Sequence, residues 1–422
     1  MNDLKYSNIT LVNLIMASII PFLIWGPFFP DLIVSASALF FLYYIFKNKF
    51  FFYFLNKPLI IFFIFCIYCI LISVFVAKDM MLSFESSLFF FRIGVFSCFI
   101  WYLIDKDKNI INYFYYALII CFSALVIDGY IQSFTGKNLL GFSTNQVRIS
   151  SFFGEELVMG SYLSRLFPLL FALFLIKKKM KFEIYFTGFL FILVEILIFL
   201  SGERTAFFYL NLSTIFIIIL IKEFQKFRLI IFICSMICIF ILSINLTNVS
   251  DRMFKNPMQT MGFTQEANQK FIFSSAHDSL IRTGVNMFKE KPLIGHGPKM
   301  FRVICKDKKF QIGHNPCDMH PHNFYVQLLA ETGIIGFLFL SSTLVYVLYA
   351  ASRQLKSIIF RQKRYLTDYQ VCLLAGILIT VWPISPNGNF FNNWLMIIYS
   401  LPVGFYLQSI YSKNSIKKTL KK

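Results

Sequence analysis

The stretch from His320 to Gly336 reads HPHNFYVQLLAETGIIG. It joins a polar segment that carries histidines to an apolar run that continues to about Ala350. Such a run predicts a membrane-spanning helix, because about 20 apolar residues cross the hydrocarbon core of a bilayer. The helix therefore begins next to histidine, at one face of the membrane.

The composition of the whole chain points to the same class of protein. Hydrophobic residues make up 57% of the 422 residues, charged residues only 14%, and 55 residues are phenylalanine. A soluble domain does not need so many large apolar side chains, so we predict an all-α, polytopic membrane protein. The formal net charge is +19. Most Lys and Arg lie in short tracts between apolar runs, which argues against a nucleic-acid partner and for a role in membrane orientation.

Apolar runs predict about twelve transmembrane helices. The chain then divides into spans one to nine with short loops (1–246), one large polar loop with short helices (247–322), and spans ten to twelve with a basic tail (323–422). The approximate cores of the spans are 9–29, 31–46, 58–77, 87–104, 110–132, 158–176, 183–201, 204–221, 229–246, 323–350, 368–384 and 391–411.

The basic tracts predict the orientation of these spans. They follow spans two, four, six, eight and ten, and they close the chain. Basic connections are cytoplasmic, so both termini are expected inside and the 247–322 loop on the opposite side. That loop also contains Lys and Arg, but long loops cross the membrane largely regardless of charge. The N-terminus lacks the features of a cleaved signal peptide, so we expect the first span to be retained.

Histidine is confined to the large loop. A single histidine there is most simply a solvated or locally bonded side chain, but the confinement of all five to one segment favours a functional role. They are His277, His296, His314, His320 and His322.

His322 stands out because a span follows it directly. The N-terminal end of a helix disfavours a charged imidazole, and a neutral histidine can act as a general base near pH 7. Asn323 is expected to cap the helix. Gly333 and Gly336 lie one turn apart, where small residues permit close helix packing, so we interpret them as structural.

Several cations are expected at the same face. Arg204, in the segment SGERTAF, lies between two apolar runs, and its guanidinium group suits phosphate oxygens. The alternatives are a salt bridge to Glu203 or a side chain that only extends to the membrane interface. Arg148 lies in the external 133–157 loop, Arg282 on a helix predicted near 276–289, and Lys78 at the start of another external connection. Together they would suit a lipid-linked phosphate or diphosphate.

Three charged residues, Arg92, Asp128 and Glu195, lie inside apolar runs. A charge within the membrane is costly. We therefore expect each of them to find a partner or to face the interior of the bundle, although the sequence does not identify the partners.

The nine cysteines fall into two groups. Seven lie in apolar runs, where free thiols are buried and inert, while Cys305 and Cys317 lie together in the large loop. In an oxidising compartment these two predict a disulfide. The alternative is a zinc site with His320 and His322, but the spacing is not one of the usual ligand patterns and a disulfide consumes both thiols. We therefore expect no metal.

Four segments resemble the O-antigen ligase and polymerase superfamily, over roughly residues 145–340. His322-Asn323 followed by nine residues and Gly333-Ile334-Ile335-Gly336 resembles the histidine signature of that family. Ser201 to Thr205 resembles its small-residue-plus-Arg-Thr motif. The segments 148–160 and 292–301 are also similar, and all four occur in the family order. Glu203 departs from the pattern, because a small or polar residue is expected beside the arginine.

The resemblance implies a GT-C-type glycosyltransferase at the periplasmic face of a Gram-negative inner membrane. The donor would be a glycan on undecaprenyl diphosphate, and the acceptor lipid A-core or another lipid-linked glycan. His322 would be the general base, and Arg204, with Arg282 and with Arg148 and Lys78 as further candidates, would hold the diphosphate. A base opposite the leaving group favours inversion, with no cofactor.

Two other functions remain open from the sequence. An O-antigen polymerase would use the same site chemistry on lipid-linked repeat units. A lipid-linked oligosaccharide flippase also fits twelve spans, but transporters usually carry polar sites near the middle of the membrane and repeat symmetry between halves. Here the conspicuous polar residues gather at one face, which favours the enzyme.

Overall fold

The computed structural model describes residues 6–144, 148–177, 180–263, 270–271 and 273–412, and of residues 6–8 only the backbone. Within these ranges the fold is helical, with no strand beyond an isolated bridge between Lys137 and Ser143. The α-helices are α1 (Tyr6–Ala17), α2 (Ile19–Trp25), α3 (Phe28–Asn48), α4 (Lys57–Phe75), α5 (Met80–Leu88), α6 (Phe91–Lys106), α7 (Ile110–Thr135), α8 (Met159–Ile176), α9 (Lys181–Leu200), α10 (Arg204–Leu220), α11 (Gln225–Asn245), α12 (Thr247–Ser250), α13 (Asn256–Thr260), α14 (Ser275–Glu290), α15 (Phe301–Ile304), α16 (Phe324–Ile359), α17 (Asp368–Thr380) and α18 (Asn393–Tyr411).

The membrane-spanning helices follow the predicted apolar runs in chain order. In the described residues, nine helices are long and apolar enough to cross a membrane, and three shorter apolar helices lie at Ile9–Trp25, Arg204–Leu220 and Asp368–Thr380. Each of these corresponds to one of the twelve predicted runs. The prediction of an all-α, polytopic membrane protein is therefore confirmed.

Helix α8 lies in the interior of the bundle. It packs against α7, α9, α10 and α17, and nearly all of its residues are buried. Helices α3, α4 and α11 lie at the periphery and leave most of their apolar surface for lipid. The segment between α11 and α16 holds the short helices, and its longest one, α14, packs against α16.

Each end of the bundle is closed by connections that contact one another. At the end predicted to be cytoplasmic, the Asp368 carboxylate accepts a hydrogen bond of 3.0 Å from the backbone N–H of Lys222. At the other end, Arg252 donates from Nε to the carbonyl oxygen of Gly202 at 3.0 Å. Connections that the basic tracts assign to the same side therefore meet at the same end of the bundle.

The three charged residues that the sequence analysis noted inside apolar runs, Arg92, Asp128 and Glu195, have partners. Arg92 forms an ion pair with Asp31 at 2.5 Å, and the buried Glu195 pairs with the buried Arg228. The Asp128 carboxylate accepts hydrogen bonds from Ser151 Oγ at 2.7 Å and from the backbone N–H of Leu139 at 2.8 Å. These contacts compensate the cost of placing charge in the membrane.

Helix α16 is broken at Gly333. This residue has φ of +64° and ψ of −161°, which lies outside the helical region. The freed backbone groups bond the 292–297 loop: Ile334 N–H donates to the Pro292 carbonyl at 2.9 Å, and Gly297 N–H donates to the Glu331 carbonyl at 2.7 Å. Gly333 thus lets the loop join the helix backbone, and the expected packing groove is not its main role.

Candidate active site

A cavity of about 1220 Å³ lies at the end of the bundle predicted to be external. His322, Arg148 and Arg204, which are far apart in the sequence, all line it. Their side chains come from the start of α16, the segment before α8, and the start of α10. The cavity therefore collects cationic and titratable groups from distant parts of the chain in one space.

His322 is held in an unusual backbone conformation. Its φ of +53° lies in the left-handed region, which residues with a Cβ seldom adopt. The backbone N–H of Asn387 donates to the His322 carbonyl at 2.8 Å. Asn323 caps α16 through its side-chain oxygen, which accepts from the N–H groups of Tyr325 and Val326 at 3.0 and 3.1 Å. Bonds on both sides therefore fix the conformation that places the imidazole in the cavity.

Two more histidines lie against His322. The ring centroid of His320 is 4.2 Å from that of His322, and the centroid of His277 is 5.4 Å away. Burial, followed by the neighbouring His322, lowers the pKa of His320 to about 4. Burial, His322 and Arg204 lower the pKa of His277. Both neighbours are therefore uncharged at neutral pH.

Asp318 completes this group. One carboxylate oxygen, Oδ2, lies 3.3 Å from Nε2 of His322. Burial opposes ionisation of Asp318, but hydrogen bonds from the Met319 N–H and from His322 outweigh it and lower the pKa of the carboxyl group. An ionised Asp318 can accept a hydrogen bond from a protonated Nε2 of His322. The other ring nitrogen, Nδ1, is then free to accept a proton.

Three arginines line the same cavity. Arg204 is exposed to the cavity, and Arg148 donates from Nη2 to the Leu157 carbonyl at 2.8 Å. Burial lowers the pKa of Arg148, as do the nearby charges of Arg252 and Arg204, while Glu203 opposes them. Arg252, from the π-helical turn Asp251–Lys255, also lines the cavity. Positive charge is thus concentrated where a ligand with several anionic oxygens could bind.

Glu203 does not pair with the adjacent Arg204 in the described structure. Its carboxylate accepts hydrogen bonds from the N–H groups of Gly160 and Ser161, at 2.6 and 3.0 Å, and from Ser161 Oγ at 2.9 Å. Burial raises the pKa of Glu203, and these donors oppose that rise. The carboxylate therefore binds the N-terminus of α8, and the guanidinium group of Arg204 is left to the cavity.

Two predicted cations lie elsewhere. Arg282 pairs with Asp278 at 2.6 Å, one turn earlier on α14, and Lys78 is exposed in the connection between α4 and α5. Neither is among the described residues that line the cavity. The i,i+4 spacing brings Asp278 and Arg282 together on one face of the helix, which the sequence could have indicated.

Sequence reasoning missed Arg165 and Arg252. Arg165 lies within the apolar run of α8, is only 5% exposed, and lines the cavity. A lone charge inside a span is itself a signal of function. Arg252 carries no such signal, because it is one of many basic residues in a long polar loop.

The large loop contains the predicted cysteine pair. Cys305 and Cys317 form a disulfide with Cα atoms 5.1 Å apart. Within the described part of the chain, no group of three or more His, Cys, Asp or Glu side chains is arranged to hold a metal ion.

Comparisons with known proteins cover the same region. Residues 187–341 match a family model described as O-antigen ligase. A Rickettsia felis protein provisionally named a polysaccharide ligase is 29% identical over 136 residues, which are 31% of this chain and 33% of that relative. The match thus spans about a third of either protein. The motifs at 201–205, 292–301 and 322–336 all lie inside the family match. These findings confirm the resemblance to the O-antigen ligase superfamily, over residues 187–341 of this chain.

Proposed function

We propose that this protein is a glycosyltransferase of the O-antigen ligase type. It transfers a glycan from undecaprenyl diphosphate to a sugar hydroxyl of lipid A-core, at the periplasmic face of a Gram-negative inner membrane. The proposal is supported chiefly by one observation, which is that a single cavity is lined by His322 together with Arg148, Arg204 and Arg252.

The histidine side of the cavity suits a general base. Asp318 accepts from Nε2 of His322 and so fixes the tautomer in which Nδ1 carries a lone pair. That nitrogen takes the proton of the acceptor hydroxyl while the hydroxyl oxygen attacks the anomeric carbon. The neighbours His277 and His320 do not compete for the proton, because burial lowers the pKa of each.

The arginine side suits the leaving group. As the new glycosidic bond forms, the bond between the anomeric carbon and the phosphate oxygen breaks, and its electron pair stays on the diphosphate. The guanidinium groups of Arg148, Arg204 and Arg252 stabilise this charge through fixed hydrogen-bond donors. Because base and leaving group lie on opposite sides of the sugar, the anomeric configuration is inverted.

The family match is the second support. It covers the helix that carries Arg204 and the first half of α16 after His322. Arg148 and the segment before α8 lie outside the match, so their role rests on the cavity alone. Lys78 and Arg282, which the resemblance offered as further ligands of the diphosphate, are left out of this proposal because they do not line the cavity.

The test is transfer by the full-length protein in proteoliposomes, with a lipid-linked glycan donor and lipid A-core. His322→Gln removes the base, and we expect transfer to fall by about 10²-fold or more. Arg204→Gln should cost a similar factor, since a single fixed donor to developing charge contributes about 10²–10³ in rate. His314→Gln is the matched control, because His314 is exposed and does not line the cavity.

Transfer by His322→Gln at the rate of the wild type would overturn the proposal. A deletion strain separates the remaining functions. Loss of a ligase leaves long chains on the carrier lipid and bare core on lipid A, whereas loss of a polymerase leaves core with one repeat unit. Accumulation of donor in the cytoplasmic leaflet would instead indicate transport.

A further inference from the structure

Arg165 is a buried cation without an ionic partner in the described part of the chain. It lies six residues after the start of α8, or about 9 Å along the helix axis from Met159. The side chain is 5% exposed, and Nε and Nη1 are buried with no hydrogen-bond acceptor among the described residues. The buried acids of the spans, Asp128, Glu195 and Glu331, are bonded elsewhere.

Two tyrosine rings hold the guanidinium group in place. Its Cζ atom lies 4.7 Å from the ring centroid of Tyr209 and 4.7 Å from that of Tyr399. Stacking on aromatic faces satisfies the faces of a guanidinium plane but not the N–H groups at its edge. The edge of Arg165 is therefore available to a ligand that enters the cavity.

The same tyrosines connect this position to its surroundings. The Tyr209 hydroxyl donates to Oδ1 of Asn387 at 2.6 Å, and the backbone N–H of Asn387 holds the carbonyl of His322. Tyr399 also lines a separate apolar cavity of about 390 Å³ between α4, α6, α16, α17 and α18. Arg165 thus lies where polar and apolar spaces approach one another.

An unpartnered charge at this depth is costly unless an anion compensates it. Planar N–H donors match the oxygens of a phosphoryl group. We propose that Arg165 forms a second anion-binding position, deeper in the cavity than Arg148, Arg204 and Arg252, and that it binds a phosphoryl group. The inference concerns binding and does not rest on the proposed transfer reaction.

The phosphoryl group has two possible sources, a diphosphate or the head group of an anionic phospholipid. Calorimetry with inorganic diphosphate, on the full-length protein in phosphatidylcholine nanodiscs, tests the first source. We expect Arg165→Gln to lose one binding event or to weaken the affinity for diphosphate by about tenfold or more. Arg165→Lys should weaken this affinity several-fold, because an ammonium group cannot bind two oxygens in a fork.

The matched control is Arg353→Gln. Arg353 is an exposed arginine that stacks on Tyr365 at 5.5 Å, at the end of α16 remote from the cavity. It should bind diphosphate as the wild type does. Nanodiscs with added phosphatidylglycerol test the second source. If the head group occupies the site, native mass spectrometry should retain this lipid on the wild type and not on Arg165→Gln, and the lipid should weaken diphosphate binding.

The inference is overturned if folded Arg165→Gln binds both diphosphate and phosphatidylglycerol as the wild type does. Folding is checked by size-exclusion chromatography and by the melting temperature. If Arg165→Gln does not fold, Arg165→Lys decides, and wild-type binding of both probes by that variant has the same consequence. Loss of glycan transfer alone would count against the proposed function and leave this inference standing.

Discussion

The carboxylate of Glu203 accepts a hydrogen bond of 2.6 Å from the backbone N–H of Gly160. It thereby ties the turn that carries Arg204 to the first turn of α8. A carboxylate is favourable there, because the N–H groups at a helix N-terminus have no partner within the helix. Gly160 permits this approach, since an added Cβ would lie 2.8 Å from Ser201 Oγ and 3.0 Å from Oε1 of Glu203.

Replacement of Glu203 should therefore damage both stability and the position of Arg204. Glu203→Gln turns one acceptor oxygen into an N–H donor that faces backbone donors. We expect a loss of about 1–3 kcal/mol, the usual cost of a buried polar group left without its partner. Thermal unfolding measures the first effect, and transfer activity measures the second. Glu155→Gln, at an exposed position in the same segment, should change neither, and an unchanged melting temperature for Glu203→Gln would contradict the assignment.

Gly333 offers a second test, because its backbone conformation and its surroundings both demand glycine. An added Cβ would lie 2.3 Å from the carbonyl oxygen of Leu293, in addition to the strain of a φ of +64°. Gly333→Ala must therefore displace the 292–297 loop from α16. We expect a larger fall in melting temperature than the ordinary cost of alanine in the left-handed region, which is about 1–2 kcal/mol.

Gly136 supplies the control for Gly333. It has a φ of +80°, but an added Cβ there meets nothing within 4 Å. Gly136→Ala should therefore carry the conformational cost alone. Equal melting temperatures for the two variants would show that the close approach of Leu293 to Gly333 does not limit the fold.

The helical architecture could be predicted because membrane crossing imposes a simple rule. Apolar runs of sufficient length become helices, since no other open structure satisfies backbone hydrogen bonds in lipid. The three shorter apolar helices were also predicted, because each lies within a longer apolar run of the sequence. For example, α1 and α2 belong to one run. The break at Gly333 could not be predicted, because it depends on a loop some 40 residues earlier in the chain.

The site was predictable only where a residue stood next to a conspicuous boundary. His322 precedes a span and Arg204 starts one, so the sequence singled out both, and both line the cavity. Arg282 and Lys78 looked equivalent by position, but Arg282 pairs with Asp278 on its own helix, and Lys78 is not among the described residues that line the cavity. The partner of Glu203 lies at the start of α8, more than forty residues away, and only the packed structure reveals it.

The half-buried histidines His320 and His277 predict a dependence of stability on pH. In an unfolded chain His320 titrates near its ordinary pKa of 6.5, whereas in the folded protein burial, and then His322, lower its pKa to about 4. Between these values the unfolded chain binds more protons, so the free energy of unfolding falls as the pH drops from 6.5 towards 4. Above pH 6.5 His320 is neutral in both states, so it no longer lowers the free energy of unfolding. The charge of Asp318 raises the pKa of His320 and so opposes this shift, whereas the charge of Arg302 lowers the pKa further.

His320→Gln removes this titration and should flatten the fall in melting temperature between pH 7 and pH 4.5. Burial lowers the pKa of His277 as well. The double variant that replaces both His320 and His277 with Gln should therefore show a still smaller fall in melting temperature. The exposed His314 again supplies a control, since His314→Gln should keep the slope of the wild type. A slope that His320→Gln leaves unchanged would mean that this imidazole is accessible to protons in the folded state.

The disulfide between Cys305 and Cys317 leads to the last prediction. It closes a loop with a sequence separation of 12 and ends three residues before His320. Cys305 is fully buried and packs beside Met287 and Phe301. Removing the cross-link frees the unfolded chain, and for a loop of this size the expected loss is about 3 kcal/mol. Because the loop leads directly into the histidine cluster, we also expect slower glycan transfer by the double variant with serine at both positions.

Cys234→Ser, at an exposed free cysteine in α11, should leave both quantities unchanged. Alkylation of the denatured protein, followed by mass spectrometry, checks the bond itself: Cys305 and Cys317 should be labelled only after reduction, and equal labelling without a reductant would show that the two thiols are free.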